Sequence, residues 1–174
     1  ANNDEINNLI KLNNDTGVCE VANDNAEGQV IVSGSKDSIE NFQNILKEKK
    51  IKSLPLKVSA PFHCSLMKPA AKVMEEKIKK TEFKKPLLEI INNVTASPEK
   101  NPENIKKLLV EQIYSTVKWR QSITKMNELN VKNFIEIGPG KVLNGMVKRT
   151  LKNVSCFSIN SIIDMENVLN ELKK

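Results

Sequence analysis

Two periods of apolar residues alternate along the first third of the chain. Over Asp4 to Leu12, Ile6, Leu9 and Ile10 share one side of a helical turn, so this stretch predicts a helix. Val18 to Ala22 and Gln29 to Ser33 are short β-prone runs, separated by the turn-rich Asn23 to Gly28. Helical spacing returns over Lys36 to Lys49, where Ile39, Phe42, Ile45 and Leu46 form one stripe suited to packing on a sheet. A further strand is expected around Ser53 to Val58. The order helix, strand, strand, helix, strand is that of a ferredoxin-like unit without its opening strand.

From Pro61 onward the pattern becomes that of an α/β fold. A helix is predicted over Leu66 to Lys80 with Leu66, Ala70, Val73 and Met74 inward, followed by a short apolar strand at Leu88 to Ile91. Helices follow at Asn104 to Tyr114 and Lys118 to Leu129, the latter with Trp119, Ile123 and Met126 on one face. Asn133 to Ile137 reads as a strand ending in the turn Gly138-Pro139-Gly140, then come a helix at Val142 to Leu151 and a strand at Val154 to Ser158. Ser161 and Asp164 form a capping box for a last helix bearing Met165, Val168, Leu169 and Leu172. Short apolar strands alternating with helices predict a mostly parallel sheet. The expected division is a small subdomain over 1–59 and an α/β region over 60–174.

With 174 residues, 39% of them hydrophobic, the chain is long enough for a core of one domain or one and a half. It has no apolar run of membrane-spanning length, and Ala1 to Leu12 is rich in Asn with acidic residues, so a soluble, cytoplasmic protein is expected. The chain opens without a methionine at what reads as a helix, the way a domain slice or a processed product begins, so a piece of a longer protein is expected.

The formal net charge is +6, yet Arg120 and Arg149 are the only arginines, aromatics make up 4%, and the lysines interleave with acids. No basic motif alternates with stacking residues, so nucleic acid is not the expected partner, whereas a partner with an acidic surface fits. Cys19, Cys64 and Cys156 lie far apart without CxxC spacing, and there is a single histidine, so neither a disulfide framework nor a metal site is expected.

The candidate chemistry centres on Ser59-Ala60-Pro61-Phe62-His63-Cys64-Ser65-Leu66-Met67, which places His63 at a strand-to-helix junction. A junction histidine can equally be a surface or core-satisfied residue. Cys64 is badly placed to exchange a proton with its own neighbour, because adjacent residues of an extended segment point to opposite sides, and it reads as a small buried residue. Gln112 continues the apolar stripe of Ile105, Leu108 and Leu109, where a buried amide needs partners; an edge position reaching solvent is the alternative.

Five blocks, VANDNAEGQVIVSG, SAPFHCSLMKPA, EIINNVTA, VEQIYSTVKW and FIEIGPGKVLNGMVKRT, occur in the order and spacing of the malonyl-CoA:acyl carrier protein transacylases of fatty acid synthesis. The resemblance covers essentially the whole chain and matches the C-terminal half, or somewhat more, of such an enzyme. It implies a serine-hydrolase-like α/β core with a ferredoxin-like subdomain, ping-pong transfer through an acyl-serine, and no metal or redox cofactor. His63 matches the histidine that takes the serine proton and returns one to the leaving thiolate, and Gln112 the glutamine whose main-chain carbonyl orients that imidazole. Asn25 and Gln29 match polar residues that border the acyl pocket; turn and strand-end structure is their other reading. Phe62 matches a position that is phenylalanine for malonyl and small for methylmalonyl, for a steric reason.

The family's GQGSQ and GHSxGE segments and the arginine that pairs with the malonyl carboxylate have no match here. The nucleophilic serine is therefore expected on a missing N-terminal half of the same enzyme, and this chain alone is expected to be inactive. Glu27 stands where many members have proline. Malonyl-CoA and acyl carrier protein are the implied partners, with Lys52, Lys148 and Arg149 as candidates for docking the acidic carrier. An acyltransferase of polyketide assembly and a non-catalytic binding module are the rival readings.

Overall fold

The computed structural model describes residues 1–13 and 17–173. They form two compact units, Ala1–Ser122 and Ile123–Lys174. This division falls well after the expected boundary at residue 59, because segment 112–120 bonds directly to the N-terminal hairpin.

In the first unit, α1 (Asn3–Lys11) starts where the Asn2 side chain accepts a hydrogen bond from the Glu5 amide at 2.8 Å. The hairpin of β1 (Cys19–Ala26) and β2 (Gln29–Gly34) is antiparallel and turns at Glu27 and Gly28, with Gly28 at φ +73°. At Gly34 the hairpin closes so tightly that a Cβ would lie 1.9 Å from the Val18 carbonyl oxygen. Helix α2 (Lys36–Glu48) and α1 both pack on this hairpin. Ile6, Cys19, Val21, Phe42 and Leu46 form the buried core, with Leu9, Ile10, Ile39 and Ile45 packed against it, so both predicted helical stripes face inward.

Strand β1 is longer than predicted. Asn23 to Ala26, expected as turn, stay in the ladder because two register irregularities absorb them and Asn23 bridges to Val117 in parallel. The expected strand at Ser53 to Val58 is not one. That segment is unpaired among the described residues, Pro55 has no N–H to give a ladder, and Leu54, Leu56 and Val58 are 75%, 58% and 63% exposed.

After a short 3-10 turn at Ser65–Met67, α3 (Lys68–Lys79) packs against α4 (Pro102–Glu111). Only Ala71 of α3 is buried; the predicted inward stripe of Leu66, Ala70, Val73 and Met74 is exposed, because no described residue covers that face. The strand expected at Leu88 to Ile91 shrinks to β3 (Ile90–Ile91), which pairs antiparallel with β4 (Pro98–Glu99). The turn between them explains this: the Asn92 side chain accepts from the amides of Val94 and Thr95 and folds the chain back.

Helix α5 (Trp119–Glu128) continues into the second unit. There β5 (Asn133–Ile137) and β6 (Ser155–Ile159) pair in parallel, joined through α6 (Val142–Thr150), and α7 (Ile162–Leu172) follows. The mostly parallel sheet of the sequence reading is thus a single parallel pair among the described residues. Phe134, Met146, Val147 and Val168 are buried, while Met165, Leu169 and Leu172 on α7 remain more than 40% exposed. The Glu136 carboxylate accepts from the amides of Leu143 and Asn144 at 3.1 and 2.9 Å, filling the N-terminus of α6 that the Gly-Pro-Gly turn opens.

The predicted capping box at α7 forms. The Ser161 hydroxyl accepts from the Asp164 amide, and the Asp164 carboxylate accepts from the Asn160 amide and the Ser161 hydroxyl. These donors, the Asn160 amide first, hold the Asp164 carboxyl below its usual value. A depressed folded pKa contributes stability that is complete above the unfolded value near 4 and lost as pH falls through the folded one. Asp164→Asn should therefore melt below the parent at pH 6, and the two melting temperatures should converge towards pH 2. A constant difference across that range, followed by far-UV circular dichroism, would contradict the account.

Candidate active site

His63 lies on the loop between the extended segment and the 3-10 turn, half-buried, with φ +61°. A left-handed backbone costs a non-glycine residue of order 1 kcal/mol or more, so the surroundings must hold it. Two groups just beyond α4 do so. The His63 amide donates to the Ile113 carbonyl at 3.3 Å, and Nδ1 lies 2.8 Å from the Gln112 carbonyl oxygen. A carbonyl can only accept, so Nδ1 carries the proton and the Nε2 lone pair is left to act as a base. Nε2 has no hydrogen-bond partner among the described residues.

Gln112 reaches this place because α4 ends there. As the C-terminal cap it leaves its carbonyl outside the helical ladder, free for the imidazole. Its side chain is satisfied by Asn93, whose Nδ2 donates to Oε1 at 3.1 Å, while the Asn93 carbonyl accepts from the Lys118 amide. Gln112 is half-buried rather than buried, and the partner of its side-chain oxygen is Asn93, which the sequence alone did not single out. The doubled Asn of the INNV block was its one available signal.

Cys64 is fully buried, and its thiol donates to the Pro61 carbonyl at 3.2 Å, so it is enclosed rather than presented as a nucleophile. At Cys19 burial pushes the thiol up from its ordinary value. Phe62, beside the histidine, is 47% exposed. Its ring is open to whatever approaches the loop.

Segment 112–120 also grips the β1–β2 hairpin. The Thr116 hydroxyl donates to the Val21 carbonyl at 2.6 Å, the Val117 amide to the Ala22 carbonyl at 2.8 Å, and the Asp24 amide to the Val117 carbonyl at 3.0 Å. Arg120 closes the set with two bonds to the Asp24 carboxylate, 2.9 and 2.7 Å, and these bonds hold the guanidinium pKa above its ordinary value. Asp24 is 1% exposed, and a carboxylate so buried requires such a partner. Next to it Asn25 is buried on β1, while Gln29 opens β2 opposite Ala26 with its Oε1 buried and unpartnered among the described residues.

A second tie runs from β1 to the histidine loop, where the Glu20 carboxylate accepts from the Ser65 amide at 2.9 Å and from its hydroxyl at 2.5 Å. Sequence reasoning missed Glu20, because a single glutamate in a strand carries no periodic signal. The structure thus joins His63 and Gln112 directly and places Asn25 and Gln29 on the hairpin tied to the same segment. The remaining candidates stand apart from this network. Lys52 is exposed ahead of the extended segment, and Lys148 and Arg149 are exposed in the last turn of α6, in the second unit.

Among the described residues no cluster of three or more His, Cys, Asp or Glu could hold a metal ion, and no helix is long and apolar enough to cross a membrane.

A protein of Haemophilus influenzae named malonyl CoA-acyl carrier protein transacylase is 36% identical over 167 residues, which cover 95% of this chain and 54% of that protein. The crystal structure of an acyl carrier protein S-malonyltransferase from Vibrio cholerae superposes with a TM-score of 0.91 at 36% identity, over 97% of this chain and 55% of that one. A malonyl-transacylase in complex with its type II polyketide synthase acyl-carrier protein superposes with a TM-score of 0.92 at 33% identity, over 98% and 56%. The chain spans about half the length of the curated relatives it matches. The acyl transferase domain family matches residues 2–172, and the chain belongs to that family.

Proposed function

We propose that this chain supplies the general base and part of the acyl pocket of an enzyme that moves malonyl from coenzyme A to the phosphopantetheine thiol of acyl carrier protein in fatty acid synthesis. The observation that carries the reading is the 2.8 Å contact between His63 Nδ1 and the Gln112 carbonyl, which leaves Nε2 to work as a base. In the first half-reaction Nε2 takes the proton of a serine hydroxyl as its oxygen attacks the thioester carbonyl. The coenzyme A thiolate then leaves and takes that proton. In the second half-reaction the carrier thiol gives its proton to Nε2 and attacks the acyl-serine, and the proton returns to the serine oxygen. The 174 residues hold no G-x-S-x-G elbow, so the serine in this reading comes from outside them, on an N-terminal half of the same enzyme. The chemistry calls on no metal or redox cofactor.

On this reading residues 1–59, with β1 and β2, belong to an incomplete ferredoxin-like subdomain, and 60–174 are part of a serine-hydrolase-like core. Two helices on one face of the hairpin and the parallel β5–α6–β6 unit support it. Asn25 and Gln29 border the acyl pocket, and Phe62 forms its wall against an α-methyl branch. That wall favours malonyl over the branched units used by some polyketide enzymes. Lys52, Lys148 and Arg149, all exposed and cationic, dock the acidic carrier. Three free cysteines suit the cytoplasm, a reducing compartment.

In the complete enzyme His63→Ala should lower kcat by about 10²- to 10⁴-fold, the usual worth of a positioned base, and the 174-residue chain alone should take no label from radioactive malonyl-CoA. Near-normal turnover by the variant, or labelling of the lone chain, refutes the assignment. Phe62→Ser should raise the ratio of methylmalonyl to malonyl kcat/KM by roughly tenfold or more, the scale of one steric clash, and an unchanged ratio would place the pocket wall elsewhere. Reversing the charge of Lys148 and Arg149 together, or of Lys52, should weaken use of the carrier by about tenfold at low salt and less at high salt, sparing malonyl-CoA loading. Equal losses in both half-reactions would exclude a docking role.

A further inference from the structure

The left-handed backbone at His63 needs support from both directions along the chain. Before the histidine, the bonds that hold the loop among the described residues are local, such as Phe62 amide to Ala60 carbonyl. At the histidine itself, the carbonyls of Gln112 and Ile113 take the ring and the amide. Two residues later the chain must be caught again, or the loop could pivot about that pair of bonds.

Glu20 makes that second catch. It stands on β1, whose next residues are bonded through Val21 and Ala22 to Thr116 and Val117 of the segment that also presents Gln112. The Gln112 carbonyl and the Glu20 carboxylate therefore project from one hydrogen-bonded assembly and grip the loop on either side of its turn. Both carboxylate oxygens are used: Oε2 takes the Ser65 amide at 2.9 Å and Oε1 the Ser65 hydroxyl at 2.5 Å. Bonds to an ionised carboxylate are shorter and stronger than neutral ones, and a two-point grip fixes direction as well as distance.

We propose that Glu20 is a positioning residue for His63: through Ser65 it sets the place of the imidazole without touching substrate. The proposal rests on the reading of His63 as the base. It gives the hairpin a role in proton transfer beyond lining a pocket.

The test uses the complete enzyme, with the two half-reactions followed separately. Glu20→Ala should lower kcat by about 10- to 100-fold, the cost of misplacing a reacting group by about an ångström, with KM for malonyl-CoA within about threefold of the parent. Glu20→Gln should stay within about threefold of the parent, since its amide oxygen accepts from the Ser65 amide and its NH₂ donates to the Ser65 hydroxyl oxygen. In a His63→Ala background, Glu20→Ala should cost nothing further, because no imidazole remains to be placed. Wild-type-like kcat in Glu20→Ala, equal impairment of the Gln and Ala variants, or an undiminished loss in the His63→Ala background would each overturn the proposal. Full activity of His63→Ala by itself would overturn both the base assignment and the positioning role, and so separates the two failures. Ser65→Ala removes one of the two bonds and leaves β1 intact, so it serves if Glu20→Ala does not fold. It should lower kcat by roughly 3- to 10-fold at constant KM, and an unchanged kcat would again overturn the proposal.

Discussion

The bond from His63 Nδ1 to the Gln112 carbonyl is the constraint on which the rest of the site depends. It chooses the tautomer, and with it the ring nitrogen that can accept a proton. Main-chain acceptance differs from the carboxylate partner common in hydrolytic triads, because a carbonyl carries no charge and cannot itself take the proton. It stabilises the imidazolium less than a carboxylate would, so more depends on exact placement. Placement is what the surrounding bonds provide, and α4 contributes by ending one residue before the carbonyl is required.

The hairpin shows the complementary electrostatic choice. A strand reading Asn-Asp-Asn would ordinarily stay in solvent, yet Asp24 and Asn25 are buried. Arg120 makes this possible by presenting its planar fork to both Asp24 oxygens. A buried ion pair contributes little net stability compared with apolar packing, but breaking one side of it is costly. Its effect is therefore on register. It fixes the end of β1 against segment 112–120, where a slip by one residue would turn Asn25 to the opposite face.

Much of this was legible in the sequence, and the rest was not for identifiable reasons. Helices α1 and α2, β5, α6 and the α7 cap follow from periodicity and capping, which are local and satisfied within this chain. His63 and Gln112 stood out in the sequence as a junction histidine and a polar residue on an apolar stripe, but their pairing was legible only through resemblance, since a bond between residues 49 positions apart leaves no spacing to read. Glu20 was not legible and Asn93 only through the doubled Asn of its block: both act through long-range bonds that leave no periodic signal. The extension of β1 through Ala26 was hidden because Asn and Asp usually signal turns, and here tertiary bonds from Val117 and Arg120 override that preference.

The strand and helix faces that disagree with expectation have a common cause. Leu54, Leu56 and Val58 keep the period of a strand, and Leu66, Val73 and Met74 keep the period of a helix, yet all are exposed. Apolar pattern records the surfaces a sequence was selected to bury, at about 25 cal/mol for each Å² removed from water, whether or not the covering residues are among those described. These two faces flank the histidine loop directly, one before Ser59 and one after Ser65. Within the described residues the loop is held by Gln112 and Ile113 at the histidine and by Glu20 two residues later.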